Sequence, residues 1–308
     1  MLTTARAEFG RVPSAPVGED PRESPPNRDN DLAFGIERHV GEPLALLVAA
    51  ALRAETGIVE LIERGGTDLE TSAWRDLIAG FDALLCWLAT PSRVPEPFPV
   101  PGPPGRTDEP EPFDGLRRWV RGHHVFMVLS QGCALALNSM RAAADEKDTE
   151  LAAPAAAVAS RLMWACRAAL RFAGEADRQQ YRNEIRPTLM PPVAPPQMSG
   201  LRWRDHEALV TALGASRASW AWLAGTRPAL LEEFRAALDA TYDAHKGVCQ
   251  HFVGGQSPSL LATVRSHRPA VGVIEQFHRL RAGALPEPAS GPGPAATRER
   301  SDSGALDQ

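Results

Sequence analysis

The stretch YDAHKGVCQHFVGG, residues 242–255, contains a histidine and a cysteine, His245 and Cys249, at a spacing that could serve chemistry. On an α-helix, residues four apart project from the same face, about one turn from each other. The His245 imidazole and the Cys249 sulfur can therefore contact one bound object. The same spacing also fits two packed side chains, since free cysteine is among the most frequently buried residue types.

Three kinds of site use a histidine and a cysteine in this way. A zinc site needs further ligands at matching positions, but His251 lies six residues beyond His245, about 240° further around the helix. A nucleophilic cysteine usually takes its base from a separate element, with a third group orienting that base. In a heme site, an imidazole ligates the iron while a thiol one turn away reaches the porphyrin edge. The spacing alone does not choose among these sites.

The elements that position these residues are predicted to be helices. Runs rich in Ala, Leu, Arg and Glu carry apolar residues three and four apart, while alternating Val, Ile and Thr patterns are missing. The fold class is therefore predicted to be all-α. The predicted helices cover residues 31–64, 69–90, 112–145, 150–178, 204–224, 227–252 and 269–282.

Proline-rich segments separate and flank these helices. Residues 91–112 are predicted to form an extended connection, because their prolines lack amide donors and fix φ. Residues 181–200 also break helix, but they include arginines and methionines as anchors, which favours an active-site loop. Residues 1–30 and 286–308 have few large apolar side chains and are predicted to be disordered. A single helical domain, residues 31–285, is expected between them.

The composition argues against several classes of partner. The formal charge is -5, from 33 basic and 38 acidic residues mixed along the chain, so no basic surface for nucleic acid is predicted. No segment approaches the roughly 20 apolar residues of a membrane-spanning helix, and the first residues lack the apolar core of a secretory signal. We therefore expect a cytoplasmic protein without a membrane or nucleic-acid partner. The 4 cysteines form no CxxC pair, which fits neither a disulfide framework nor a zinc finger.

Two segments resemble the tryptophan 2,3-dioxygenase superfamily of helical heme enzymes. HKGVCQHFVGGQSPSLLATV, which begins at His245, is similar to the segment with the proximal heme ligand, since Val253 and Gly254 follow the histidine by eight and nine residues. IRPTLMPPVAPPQMSGLRWRDHEALVTALG, residues 185–214, resembles the Arg-Pro to Ser-Gly stretch that shapes the substrate pocket, with a longer proline-rich insert. The resemblance covers residues 181–265 and implies a helical heme-binding bundle of the tryptophan/indoleamine 2,3-dioxygenase type.

Within this superfamily the cysteine points to one subgroup. His206, His245 and Cys249 match the H-x(n)-H-x-x-x-C pattern of the heme-dependent 3-methyl-L-tyrosine hydroxylases of saframycin-type antibiotic biosynthesis, whereas ring-cleaving tryptophan dioxygenases lack the cysteine. The resemblance implies that both histidines ligate the heme iron and that Cys249 forms one thioether bond to the heme. Gly254 and Gly255 would belong to the adjoining heme-binding loop. His206 would leave the iron before the oxidant binds and could then act as a catalytic acid or base.

An amino-acid substrate needs a cation for its carboxylate, and arginine offers a suitable fork of donors. Arg186, in the shared Arg-Pro element, is the first candidate, and Arg182 is the second. Ser199 and Trp203 are further candidates for contacts with the substrate or the heme. His123 and His39 are further candidates for the pocket, although a hydrogen-bonded core role is more common for such histidines, and the role of His124 stays open.

The resemblance implies a peroxygenase that converts 3-methyl-L-tyrosine to 3-hydroxy-5-methyl-L-tyrosine with hydrogen peroxide, on the way to a tetrahydroisoquinoline antibiotic. It also implies a homodimer or homotetramer. Other interpretations stay open at this point: an oxygen-dependent tryptophan or indole dioxygenase, and a non-catalytic bis-histidine heme protein that senses or transfers electrons. A helical scaffold without any cofactor is the simplest alternative.

Overall fold

The computed structural model describes residues 12–18, 24–96, 98–106, 114–195, 203–255 and 269–287, and most of them lie in helices, as predicted. The helices are α1 (Pro25–Ala33), α2 (Pro43–Gly65), α3 (Thr71–Ala89), α4 (Gly115–Asp145), α5 (Thr149–Ala173), α6 (Arg178–Gln180), α7 (Arg186–Thr188), α8 (Arg204–Ala215), α9 (Arg217–Ala224), α10 (Pro228–Val253) and α11 (Ala270–Ala282). A π-helical turn, Tyr181–Ile185, joins α6 to α7. Two short antiparallel strands, β1 (Ser14–Pro16) and β2 (His39–Gly41), pair near the start of the chain.

The core is a bundle in which α4 and α5 pack along each other, with α3 and α10 against α5 and with α2 and α8 against α4. Helix α5 is rich in buried alanines, and small side chains let helix backbones approach closely. Gly80 of α3 lies so near Ala165 that any Cβ at this position would collide with it. Fully buried Phe81, Phe172 and Phe234 fill the remaining space between the helices.

Two long predicted helices are each divided in the structure. The prediction of one helix over residues 31–64 is wrong, because Gly35 adopts φ +60 and the chain forms β2 before α2 begins. Helix α2 then starts with Pro43 in its first turn, while Glu42 accepts hydrogen bonds from two amides of that turn. The predicted helix over residues 204–224 breaks at Ser216, whose hydroxyl donates to the Leu213 carbonyl at 2.8 Å.

Within residues 1–30, for which disorder is predicted, the structure has residues 25–30 in α1 and residues 14–16 in β1. This helix buries Asn27 and Asn30, so polar contacts rather than large apolar side chains order it. Composition could not reveal this kind of burial, because it depends on partners far along the chain. The remaining segments for which disorder is predicted lie largely outside the described residues: 1–11, 19–23 and 288–308.

The two proline-rich segments behave differently. Residues 91–106 run without helix, where described, across α3, and the Trp74 indole Nε1 donates to the Pro101 carbonyl at 3.0 Å. The segment predicted as a loop over residues 181–200 begins instead as helical structure, since proline is tolerated in the first turn of a helix such as α7. Residues 196–200 lie outside the described part of the chain. Among the helices that the structure describes, none has the length and apolar character needed to cross a bilayer.

Candidate active site

His245 lies on α10, and its exposure and desolvation together indicate a concave wall, hereafter the recess. Its side chain is accessible, yet the surrounding protein is dense enough that desolvation lowers the pKa of the imidazole to about 4. Accessibility together with desolvation is what a concave wall produces. The ring is therefore neutral at neutral pH, with a nitrogen lone pair available to a metal ion. The helix ends at Gly254, whose φ of +83 favours glycine, and the exposed Gly255 follows.

Cys249 lies one turn beyond His245 as a half-buried free thiol. Burial raises its pKa to about 11, so the sulfur is protonated at neutral pH. A protonated thiol is a poor nucleophile and a poor zinc ligand. Within the described residues, moreover, no group of three or more His, Cys, Asp or Glu side chains is placed to hold a metal ion. These observations argue against a zinc site and against a nucleophilic thiolate at Cys249.

Three aromatic side chains form a cluster beside Cys249, hereafter the aromatic cluster: Trp119, Tyr181 and Phe252. The Tyr181 and Phe252 rings stack with centroids 4.4 Å apart, and Trp119 meets Phe252 edge-on at 5.9 Å. Burial raises the pKa of Tyr181, the nearby Arg186 charge opposes this, and Cys249 adds to it. Arg186 and Cys249 are thus both near enough to the Tyr181 hydroxyl to affect its protonation.

His123 of α4 faces the same space as His245. Its Nδ1 donates to the Trp119 carbonyl at 2.7 Å, because a carbonyl oxygen can only accept, so Nε2 is left as the acceptor. Burial, and secondarily the neighbouring His245, lowers the pKa of His123 to about 4. The ring packs against Trp119 at 4.3 Å and Phe34 at 4.7 Å. His123 thus combines the two predicted roles: it is hydrogen-bonded, and it lines the recess.

His206 lies in the first turn of α8 and is half-buried. Trp203, directly before this helix, is only 2% exposed, and its indole Nε1 donates to Asp31 at 2.8 Å. The Trp203 ring packs on Phe34 at 4.8 Å. In this structure the Trp203 ring is enclosed by these contacts, and a substrate contact of Trp203 stays a prediction. Ser199 lies outside the described residues.

The two candidate arginines differ in their surroundings. Arg186 is half-buried and close enough to Tyr181 to act on its pKa, whereas Arg182 is exposed. Neither forms an ion pair within the part of the chain that the structure describes. Arg186 is therefore the better placed of the two for an anionic ligand in the recess.

The remaining histidine candidates lie elsewhere. His39 was expected at the start of a long helix, but it lies on β2 and contacts the Ser14 hydroxyl at 3.1 Å and Glu37 at 3.7 Å. His124 donates from Nε2 to the Phe34 carbonyl at 2.6 Å. Both side chains are occupied by local contacts, so neither is assigned to the recess.

A separate groove of about 800 Å³ lies on another face of α10 and includes Gly247 and His251 but neither His245 nor Cys249. Its charged residues are paired, for example Arg171 with Glu70 at 3.2 Å. This groove is therefore distinct from the recess at the His245 imidazole and the Cys249 sulfur.

The residues of the recess fit a heme. A porphyrin is flat and largely apolar and takes an axial nitrogen ligand, which matches the aromatic cluster and the neutral His245. The buried Trp119 indole Nε1 has no hydrogen-bond partner in the described structure, so it is a donor available to an acceptor on a bound group. Fold and recess together define the class of protein: an all-helical protein with a site suited to heme.

Comparison with known proteins identifies the family of this chain. The family model for the SfmD 3-methyl-L-tyrosine peroxygenases matches residues 1–245. A protein of Streptomyces lavendulae named 3-methyl-L-tyrosine peroxygenase is 57% identical over 282 residues, which cover 92% of this chain and 77% of that protein. A crystal structure of reduced SfmD, soaked with sodium hydrosulfite, superposes with a TM-score of 0.70 at 54% identity and covers 82% of this chain and 84% of that one. The chain belongs to the SfmD 3-methyl-L-tyrosine peroxygenase family, which confirms the resemblance and the all-α fold class.

The aromatic cluster is the part of the site that sequence reasoning missed. Phe252 stands seven residues after His245 and so shares its helix face, a signal that was available in the spacing. In the sequence, Trp119 falls within the predicted helix 112–145, and Tyr181 stands at the start of the predicted loop 181–200. Their meeting with Phe252 depends on three separate elements, which no local pattern reveals.

Proposed function

We propose that this chain is a heme-dependent peroxygenase that hydroxylates 3-methyl-L-tyrosine to 3-hydroxy-5-methyl-L-tyrosine in antibiotic biosynthesis. The reaction transfers one oxygen atom from hydrogen peroxide to a ring carbon, and water leaves as the second product. The observation that carries the proposal is the placement of His245 and Cys249 one turn apart on α10, in a chain of this family. Family membership favours this reaction over a tryptophan dioxygenase or a non-catalytic heme protein.

Three side chains would hold the cofactor. His245 would ligate the iron through its lone pair, which burial keeps unprotonated. Cys249 would hold the porphyrin edge through one thioether bond, as the subgroup pattern implies. His206 would be the second, exchangeable protein ligand of the cofactor. When bound, heme supplies the redox-active iron that activates peroxide.

The chain's own residues would orient the substrate. The half-buried Arg186 is available to the substrate carboxylate, with the exposed Arg182 as a second cation. His206 would also serve as the acid or base that exchanges protons with peroxide, and the phenol of the substrate directs the new hydroxyl to the ortho carbon.

Product analysis tests the reaction. The heme-loaded protein is incubated with 3-methyl-L-tyrosine and hydrogen peroxide, and separately with L-tryptophan and oxygen. The proposal predicts a product one oxygen atom heavier in the first mixture only. A ring-cleaved product from tryptophan would instead support a dioxygenase, and an intact heme spectrum with no product from either mixture would support a sensor or electron carrier.

A matched pair of variants tests the site. His245→Ala should abolish hydroxylation and the axial imidazole signature of the heme spectrum. His251→Ala removes an exposed histidine of the same helix that lies on the separate groove, and it should keep both. Equal loss in the two variants would contradict the assignment of His245.

The family resemblance further leads us to propose a homodimer or homotetramer. Light scattering coupled to size-exclusion chromatography measures the mass of the assembly. A monomer at micromolar concentration would contradict this part of the proposal.

A further inference from the structure

The helix that carries His206 begins without a cap of its own. Trp203 stands at the N-cap position of α8 but makes no side-chain cap hydrogen bond. The first amide of the helix, that of Arg204, instead donates to the Asn27 side-chain oxygen at 3.0 Å. Asn27 belongs to α1, which is remote in sequence. The start of α8 is therefore satisfied by the N-terminal segment.

Arg38 ties the same two segments together through two carboxylates. Its Nε and Nη2 donate to Asp31, each at 2.7 Å, and its Nη1 and Nη2 donate to Asp205 at 3.0 and 2.7 Å. The side chains are little exposed, at 18% for Arg38, 10% for Asp31 and 7% for Asp205. Paired forks of this kind fix orientation as well as distance, and burial limits their screening by salt.

A third element completes the arrangement around Asp205. Gln131 of α4 donates from Nε2 to the same carboxylate at 2.9 Å. Asp205 directly precedes His206, so the residue before the proposed iron ligand is held by both α4 and the N-terminal segment. Without Arg38, the Asp31 and Asp205 carboxylates would face each other with no cation between them.

We infer that Arg38 is a positioning residue for His206, acting through Asp205 to fix the first turn of α8. Arg38 is not a catalytic residue, because its contacts are with Asp31 and Asp205. The first turn of a helix is where fraying begins, whereas an axial ligand has to be held within a fraction of an ångström. The inference rests on the proposed role of His206 as an exchangeable ligand.

The test compares heme-loaded wild type with Arg38→Met, Arg38→Lys and the control Arg64→Met. Arg64 is a surface residue with a side chain 53% exposed and an ion pair to Glu60 within the same helix. Two properties are measured: the low-spin, two-imidazole fraction of the ferric heme by electron paramagnetic resonance, and amide hydrogen exchange along residues 203–208.

Arg38→Met should lower the low-spin fraction by at least about half and raise exchange in residues 203–208 by about tenfold or more, since a charge-assisted contact of this size is lost. Arg38→Lys should restore part of both, because an ammonium cannot form two forked pairs. Arg64→Met should change neither. Unchanged spin state and exchange in Arg38→Met, or faster exchange spread evenly over the whole chain, would overturn the inference.

Two additions keep the outcomes distinct. If Arg38→Met does not fold, Asp205→Asn serves as the second variant, because it keeps the size of the side chain and loses its charge; it should shift both measurements in the same direction. His206→Ala tests the proposed function itself. If that variant leaves the spin state unchanged, His206 is not an iron ligand, while exchange at residues 203–208 still decides whether Arg38 fixes this turn.

Discussion

The buried carboxyl group of Glu55 should make the stability of this chain depend on pH. It lies on α2, is 7% exposed, and its Oε2 has no hydrogen-bond partner within the described structure. Burial, and secondarily the charge of Asp82, raises its pKa from 4.5 to about 7. A carboxyl group with a raised pKa binds its proton more tightly in the folded chain than in the unfolded chain.

The sign and the size of the effect follow from this difference. The contribution of Glu55 to stability is fully present below about pH 4.5 and is lost as the pH rises through about 7, because the folded chain then has to hold a buried, unpaired charge. The difference between the two pKa values corresponds to about 3 kcal/mol of unfolding free energy. Glu55→Gln removes the titration and should therefore be the more stable protein above neutral pH.

Thermal unfolding of equally heme-loaded proteins measures the effect. At about pH 8 the Tm of Glu55→Gln should exceed that of wild type by about 5 °C, and near pH 4.5 the two should agree within about 1 °C. Glu63→Gln alters an exposed carboxyl group of the same helix and should leave the pH dependence unchanged. A wild-type Tm that runs parallel to that of Glu55→Gln across this pH range would refute the reasoning.

Two further variants test other contacts. Arg186→Gln should raise the KM for the amino-acid substrate by about tenfold to a hundredfold in steady-state assays, because a charge-assisted carboxylate contact is lost. Arg182→Gln should have a smaller effect. Equal KM values for wild type and Arg186→Gln would exclude Arg186 as the carboxylate ligand. Arg118→Met should lower the free energy of unfolding by about 3–5 kcal/mol in urea, because it leaves the carboxylate of Glu175 buried without its cation. A loss below about 1 kcal/mol would show that water or other groups replace the guanidinium.

The helices that were predicted best are those whose signal is local. For α3, α4 and α10, the predicted and observed ends agree within about three residues, because apolar periodicity and flanking prolines lie within the segments themselves. The N-terminal segment was not predicted. Its order comes from buried polar contacts such as Arg38 with Asp205, which are 167 residues apart in the chain. Such contacts leave no periodic pattern in the sequence.

In the site, too, the features with a local sequence signal were predicted and those that depend on distant contacts were not. The i, i+4 relation of His245 and Cys249 placed both residues on one helix face, and the structure has them there. The pairing of Tyr181 with Phe252 follows from a π-helical turn and α10 meeting in space, and the direction of the Trp203 ring follows from its bond to Asp31. These features depend on how the elements pack against each other. A resemblance to a family could therefore name candidate residues, but it could not tell which side chains pack in the interior and which line the pocket.

The most direct test of the central claim is the intact mass of the denatured, heme-loaded protein. The account predicts that wild type keeps the mass of one heme after denaturation and that Cys249→Ala does not. Cys86→Ala, which removes another half-buried free thiol, should keep it. Release of free heme from the unaltered protein, or heme still bound to denatured Cys249→Ala, would contradict the thioether bond through Cys249.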